Sequence, residues 1–262
     1  MDIIKSLSAV YLVFSLCSCS IKEDRGPCPC HLNVNIKECS AYTDRIMLSA
    51  WRDGNANLFT DKIKLKDYPE VYTRKVEKGP LYVCAFSGYG DMVIKNNTLI
   101  IPEGEECPEV MAFRGDMLDA SGESADETVI LHKQFAKVFF ITDDLTESIG
   151  DIIFRAVGTA NGFDISAMKP CKGSFNAIAV RDMDGIRSLR VPRQVDDDLK
   201  LEIYVDGVLY GNVDIGEEIR LSGYSWEDKD LCDIYLTVSL FSSYDISVNV
   251  KKWDTESVQY TI

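Results

Sequence analysis

The sequence predicts an all-β protein of two antiparallel β-sandwich domains in tandem. Three observations lead there: apolar residues alternate with a period of two in many short runs, Gly, Asn and Asp turns separate those runs, and helical periodicity is scarce. The chain has 262 residues, 46% of them hydrophobic, which is material for one large core or two domains of about 120 residues.

Taken in order, Leu32, Val34 and Ile36 put apolar side chains on one face of a first strand, and Leu81, Val83 and Ala85 do so in another. Phe135, Lys137, Phe139 and Ile141 share a face, as do Leu199, Leu201, Ile203 and Val205, and then Ile234, Leu236, Val238 and Leu240. Each reads as a half-buried strand. Asp206-Gly207 separates runs 199–205 and 208–215 and signals a hairpin, because that tight turn needs positive φ at its centre. Short helices are expected at 144–150 and 163–168, and the acidic stretch Asp116 to Glu127 as a surface loop. The seam between halves falls at Thr142-Asp143-Asp144, giving an N-terminal sandwich over 28–142 and a C-terminal one over 143–262.

Lys plus Arg total 28 against 42 Asp plus Glu, a net charge of -14, and no basic cluster stands out. That balance argues against nucleic acid as a partner and against adsorption to an anionic lipid surface. Any membrane attachment must come from an anchor. Met1 to Lys5 carries a lysine, Ser6 to Leu16 is an apolar run, and small residues follow, which is the pattern of a secretory signal. The run is about half the roughly 20 residues that a spanning helix needs. Export without a transmembrane segment is the expectation.

Leu16, Cys17, Ser18, Cys19 resembles a bacterial lipoprotein signal, with an aliphatic residue three before the modified cysteine and a small one directly before it. Cys19 fits; Cys17 follows the bulky Leu16 and does not. Residues 1–18 are then removed as signal peptide and 19–27 form a lipidated tether. Two or three acyl chains, at about 0.8 kcal/mol per buried methylene, anchor stably where one does not. The alternative is an ordinary signal peptide cut near Ser18 or Ser20. Lys22, Glu23 and Asp24, directly behind Cys19, resemble the export signal that carries Bacteroidetes lipoproteins to the outer face of the outer membrane. A plain solvated tether is the other reading.

Cys28-Pro29-Cys30-His31 has one residue between its cysteines, too few for a c-type haem site. The remaining cysteines (Cys39, Cys84, Cys107, Cys171, Cys232) are scattered singly and only His132 joins His31, so no metal site is expected. Export permits disulfides, and seven cysteines remain after Cys17 and Cys19 are set aside. At least one is free or intermolecular, and the pairing is open. Cys84 and Cys232 stand in register with apolar neighbours and read as core residues. Asp182-Met-Asp184-Gly185 begins like a calcium loop but lacks its later ligands. With two histidines and no nucleophile, metalloprotease, phosphate-loop or dinucleotide motif, no catalytic residue and no cofactor besides the lipid are expected.

Cys19, Lys22-Glu23-Asp24-Arg25 and Cys28-Pro29-Cys30-His31-Leu32 together resemble the opening of the FimB-type fimbrial anchor lipoproteins of Bacteroidetes. "LHKQFAKVFF" (131–140) resembles that family's strand closing the first domain. "RAVGTANGFDI" (155–165), "VPRQVDDDLKLEIYVDG" (191–207) and "GYSWEDKDLCDIYLTVSL" (223–240) resemble its second domain. The resemblance implies transthyretin-like sandwiches in a lipid-anchored protein of the cell outer membrane, at the base of a fimbrium, with fimbrillin subunits as partners and no enzymatic activity. It also implies subunits joined by donor-strand exchange. Val258, Tyr260 and Ile262 share one face of the C-terminal segment, which either donates a strand with three apolar plugs or closes its own sandwich. Subunits of related fimbriae lose an N-terminal strand after an arginine; a cut after Arg25 would remove the lipid, so an anchor must escape it. The rival class is a surface lipoprotein that binds glycans on an exposed tryptophan, with Trp51, Trp226 and Trp253 as candidates; a stalk or tip subunit is a further alternative.

Overall fold

The computed structural model describes residues 28–262 apart from 53–55, 91–93, 96–97, 143–149, 182, 184, 239–245, 253–254 and 260–262. The first half holds β1 (Cys30–Asn35), β2 (Arg45–Arg52), β3 (Ala56–Lys64), β4 (Val71–Val76), β5 (Pro80–Ser87) and β6 (Ile94–Lys95). There follow β7 (Thr98–Ile100), β8 (Met111–Arg114), β9 (Leu118–Asp119), β10 (Ser124–Thr128), β11 (His132–Lys133) and β12 (Phe135–Thr142). The second half holds β13 (Ile152–Asp164), β14 (Lys169–Ile178), β15 (Val180–Arg181), β16 (Arg187–Pro192) and β17 (Lys200–Val205). It closes with β18 (Val208–Val213), helix α1 (Ile215–Leu221), β19 (Asp233–Val238), β20 (Ile246–Lys252) and β21 (Thr255–Gln259).

The fold is all-β, with one short α-helix and two 3-10 turns (Lys37–Ala41 and Leu65–Asp67) among the described residues. In the first sandwich a sheet ordered β10-β1-β4 packs on one ordered β11-β8-β5-β2-β3. Cys30, Leu32 and Val34 of β1 meet Ile46, Leu48 and Ala50 of β2 and Leu81, Val83 and Ala85 of β5, and all are fully buried. Each buried Leu, Ile or Val contributes about 1.5–3 kcal/mol, and period-two alternation delivers them to one face. Strand β5 departs from the half-buried expectation. Its second face, Tyr82, Cys84 and Phe86, is buried in the core of the other sandwich, so both faces are covered.

The second sandwich packs a sheet ordered β15-β16-β12-β19-β20-β21 on one ordered β18-β17-β13-β7-β6, with β14 along the other edge of β13. Phe140 of β12 stacks on Phe154 of β13 with ring centroids 5.0 Å apart, among Leu189, Leu201, Ile203, Ile234 and Leu236. The halves interlock across the expected seam. β12 pairs with β16 and β19 of the second half, and β7 pairs with residues 162–164 of β13. Gly162 makes the β7 contact possible, since a Cβ there would lie 2.3 Å from the carbonyl oxygen of Leu99.

The Asp206-Gly207 hairpin forms as expected: φ is 49° and 78° at the two turn residues, and Val205 pairs with Val208. Other expectations need correction. Residues 163–164 end β13, and the chain reverses over 165–168 instead of coiling; the Asp164 carboxylate holds that turn by accepting from Ser166 Oγ and the Ala167 amide. The 144–150 helix falls almost wholly outside the described residues. Within the acidic stretch, Ser124–Thr128 is a strand paired parallel to β1, because buried Ala125 gives it an inward anchor. In β12 the buried face is Ala136, Val138 and Phe140, whereas Lys137, Phe139 and Ile141 face outward. Two outward aromatics, Phe139 and Tyr235, misled the pattern by stacking on each other at 4.7 Å.

Candidate subunit-docking site

Three features bear on how this chain could meet a neighbour: its N-terminal tip, one open strand edge, and its C-terminal strands.

The tip is set by β1. Lys78, Asp119 and Asp126 surround Cys30, and Pro80 of β5 pairs with Asp119, so the chain enters the first sandwich at that end. From there β5 runs eight residues to Ser87, which pairs with Met111; Met111 pairs with Lys133, and Phe135 opens β12 in the second sandwich. At about 3.3 Å per residue β5 carries the chain roughly 25 Å from the Cys30 end to the crossing into β12, while its outer face, from Tyr82 to Phe86, is covered by the second core along the way. Cys19, Lys22, Glu23 and Asp24 lie outside the described residues.

The junction between sandwiches is braced by buried polar groups drawn from three of the quoted segments. Gln134, between β11 and β12, donates its amide to Val110 and accepts from the Arg193 amide. Arg193 Nε donates to Gln134 Oε1 at 3.0 Å, its Nη1 to the Trp226 carbonyl, and its Nη2 to the Asp228 carbonyl at 2.7 Å. Burial pulls the Arg193 guanidinium below its usual pKa, although it stays charged. Three positions away, Arg190 Nε donates to the Cys107 carbonyl at 2.8 Å and pairs with Glu106 and Glu109. Planar five-donor arginine suits such clusters of carbonyl and carboxylate oxygens. These contacts tie residues 106–110 and 226–229 to β16 and its exit.

The open edge is β18, "VLYGNV", outermost in its sheet. Val208, Leu209 and Tyr210 are 70%, 51% and 46% exposed. A groove of about 560 Å3 runs along residues 209–214. Edge strands are ordinarily guarded by charge, and here β3 carries Lys62, β4 Arg74, β10 Asp126, β14 Lys172, β15 Arg181 and β21 Glu256. β18 has no charged residue at all. An edge of this kind can extend its sheet by taking an extended segment from another chain, with main-chain hydrogen bonds for affinity and side-chain pockets for choice.

Helix α1 leads away from β18 and lies against β17 and β20. Ile215 and Ile219, one turn apart, are fully buried, with Asp214 ahead of the first turn and Arg220 in the last. That i, i+4 pair was legible in the sequence, but it is short and hidden behind an apparent strand. β20 pairs with β19, and β21 pairs back on β20 with Val258 opposite Val250. The segment bearing the three expected plugs is thus paired, as far as Gln259, in its own sheet. Tyr260 and Ile262 lie outside the described residues, so the three plugs are not seen together.

The cysteines Cys28, Cys30, Cys39, Cys84, Cys107, Cys171 and Cys232 are free thiols. Burial pushes Cys39 up to about 11 and Cys84 up to about 12, which keeps both protonated and inert. Trp226 is buried and Trp51 donates to Ser49 Oγ from a half-buried position, so neither offers the broad exposed face a sugar platform needs. Trp253, Asp182 and Asp184 fall outside the described residues.

No protein-family model and no curated protein match this chain. Solved structures do. It is similar to the fimbrial anchor protein Mfa2 from Porphyromonas gingivalis, with TM-score 0.61 at 11% identity, covering 86% of this chain and 98% of that one. It is similar to a candidate polysaccharide-binding protein from Bacteroides thetaiotaomicron, with TM-score 0.63, 12% identity, and 89% and 98% covered. A candidate adhesin from Bacteroides ovatus gives TM-score 0.57 at 12% identity, with 92% and 97% covered. The fold is therefore one shared with fimbrial and adhesin proteins of Bacteroidetes, over nearly the whole length of each.

Proposed function

We propose that the chain is a lipoprotein of the outer membrane, exposed at the surface, that holds the base of a fimbrium through lipid on Cys19. The observation that carries this is polarity. The tether of residues 19–27 reaches at most about 30 Å and enters the first sandwich at the Pro80 end of β5, opposite the Ser87 end where the chain crosses into β12 of the second. A chain lipidated there presents its second sandwich, with the uncharged β18 edge and the C-terminal strands, away from the membrane. The braced junction supports the same reading, because pull on a fibre would pass from the second sandwich through Gln134 and Arg193 into the first.

The neighbouring fimbrial subunit joins by strand addition on that outward side, at the β18 edge or through the C-terminal strands. Replacing Cys19 with Ala in the native host tests the role: fimbriae shed into the medium with the variant protein at their ends are expected. Normal cell-bound fimbriae would overturn it.

The likeness to the Bacteroides thetaiotaomicron protein, described as polysaccharide-binding, favours one second reading, glycan binding. The tryptophans Trp51 and Trp226 do not support it.

A further inference from the structure

A cleft of about 510 Å3 opens at the end of the first sandwich where β1 stops and β2 begins. Its floor is apolar, made by the buried Ile36 and Leu65. Its walls are unlike the rest of this strongly acidic chain. Arg45 of β2 is the register partner of Lys64 of β3, Lys66 follows two residues on, and neither lysine has an ion-pair partner among the described residues. Asp44 also lines the cleft, 3.4 Å from Arg45 Nε, and leaves the two lysines unmatched.

Tyr68 forms the rim. The residue is 41% exposed, yet its ring is held, meeting the buried Tyr72 edge-on with centroids 5.1 Å apart. Tyr72 in turn donates its hydroxyl to Asp61. A held aromatic ring gives contact area at little entropic cost, and its face suits the C–H side of a sugar. Also lining it, Ser40 Oγ and Thr43 Oγ1 spend their protons on the Lys37 and Arg45 carbonyls, each at 2.9 Å; Thr43 Oγ1 also accepts from the Arg45 amide at 3.2 Å, which leaves Ser40 Oγ as the freer acceptor for an incoming hydroxyl group.

We infer that this cleft binds a carboxylate-bearing saccharide, its ring against Tyr68 and its carboxylate between Lys64 and Lys66. The volume falls within the range of small-molecule sites and suits one or two sugar rings. The cleft lies at the far end of β1 from Cys30, about 20 Å away, so it stands clear of a membrane at the tether. This gives glycan binding a place and a ligand class, and it stands or falls separately from anchoring, because its test reads binding alone.

The test is calorimetric titration of the full chain in detergent with trigalacturonate, with maltotriose and inorganic phosphate as comparison ligands. Trigalacturonate is expected to bind, with affinity reduced tenfold or more in Lys64→Gln/Lys66→Gln and in Tyr68→Ala. Tyr68→Phe keeps the ring and is expected to bind nearly normally, as is Lys172→Gln on distant β14. Circular dichroism checks that each variant folds. Equal binding of maltotriose would overturn the acidic specificity. Phosphate binding that ignores Tyr68 would reduce the cleft to an anion site and overturn the saccharide. No binding of trigalacturonate would overturn the proposal outright.

Discussion

Replacing Arg193 with Met keeps the stem and removes the guanidinium that braces the two sandwiches. Three well-formed acceptors then lose their donor: Gln134 Oε1 and the carbonyls of Trp226 and Asp228. The Lys229 carbonyl, at 3.4 Å, adds little. Hydrogen bonds from a charged group contribute about 1.5–3 kcal/mol each, but Met no longer has to be stripped of the water that held the guanidinium. The balance is a loss of about 3–5 kcal/mol. With a urea slope of about 2–3 kcal/mol/M, the midpoint should fall by roughly 1–2 M. Urea unfolding followed by tryptophan fluorescence reads this directly, because Trp226 sits on the contact. Arg193→Lys should recover only part of the loss, since an ammonium cannot span the fork. A methionine variant within about 1 kcal/mol of the parent would refute the brace.

Further expectations follow from particular contacts. Gly162→Ala drives a Cβ into the Leu99 carbonyl and should lower the thermal midpoint by several degrees, a loss of about 2 kcal/mol by calorimetry. Burial, reinforced by Asp61, pushes Tyr72 up to about 12 from an ordinary value near 10. Its neutral form is thus favoured by folding, so this stability is complete below pH 10 and lost as the pH rises through about 12; Tyr72→Phe should lack that alkaline component in unfolding titrations. Exposed Cys28 should react fastest with Ellman's reagent, half-buried Cys171 and Cys232 more slowly, while Cys39 and Cys84 wait for denaturant, and Cys28→Ser should remove the fastest phase and leave the others. Leu209→Lys on β18, or deletion of Ser257 to Ile262, should leave a folded, lipidated chain that captures its neighbouring subunit poorly; whichever leaves capture intact does not carry the joint. Mass spectrometry of the surface form should find it beginning at lipidated Cys19, whereas a start at Gly26 would point to a stalk or tip subunit.

Much of this architecture was legible because alternation is a local signal. Leu81, Val83 and Ala85, or Ile234, Leu236 and Val238, declare a buried face whatever their partners are. What depends on partners was not legible. Cys84 reads as a core residue from its apolar neighbours, but that β5 serves two cores, one on each face, appears only in the fold, and β12 looks like the end of one domain until β16 and β19 pair with it. The same limit hid the uncharged edge: "VLYGNV" reads as an ordinary hairpin strand, and only its position outermost in the sheet gives its lack of charge a meaning. The segments around Gln134, Arg193 and Trp226 drew notice as sequence motifs, but their joint role needed the fold to bring residues nearly a hundred positions apart into hydrogen bonds. The cleft at Tyr68 rests on lysines from one strand end and an arginine from another, a grouping that spacing does not announce.

The central claim concerns place: one copy of this chain at the membrane end of a fibre. Immunogold electron microscopy with an antibody to the first sandwich, on intact cells and on fibres sheared from them, tests it most directly. Gold confined to the membrane-proximal end of each fimbrium is the expected result. Gold along the shaft, at the distal tip, or on the surface with no relation to fimbriae would contradict the account.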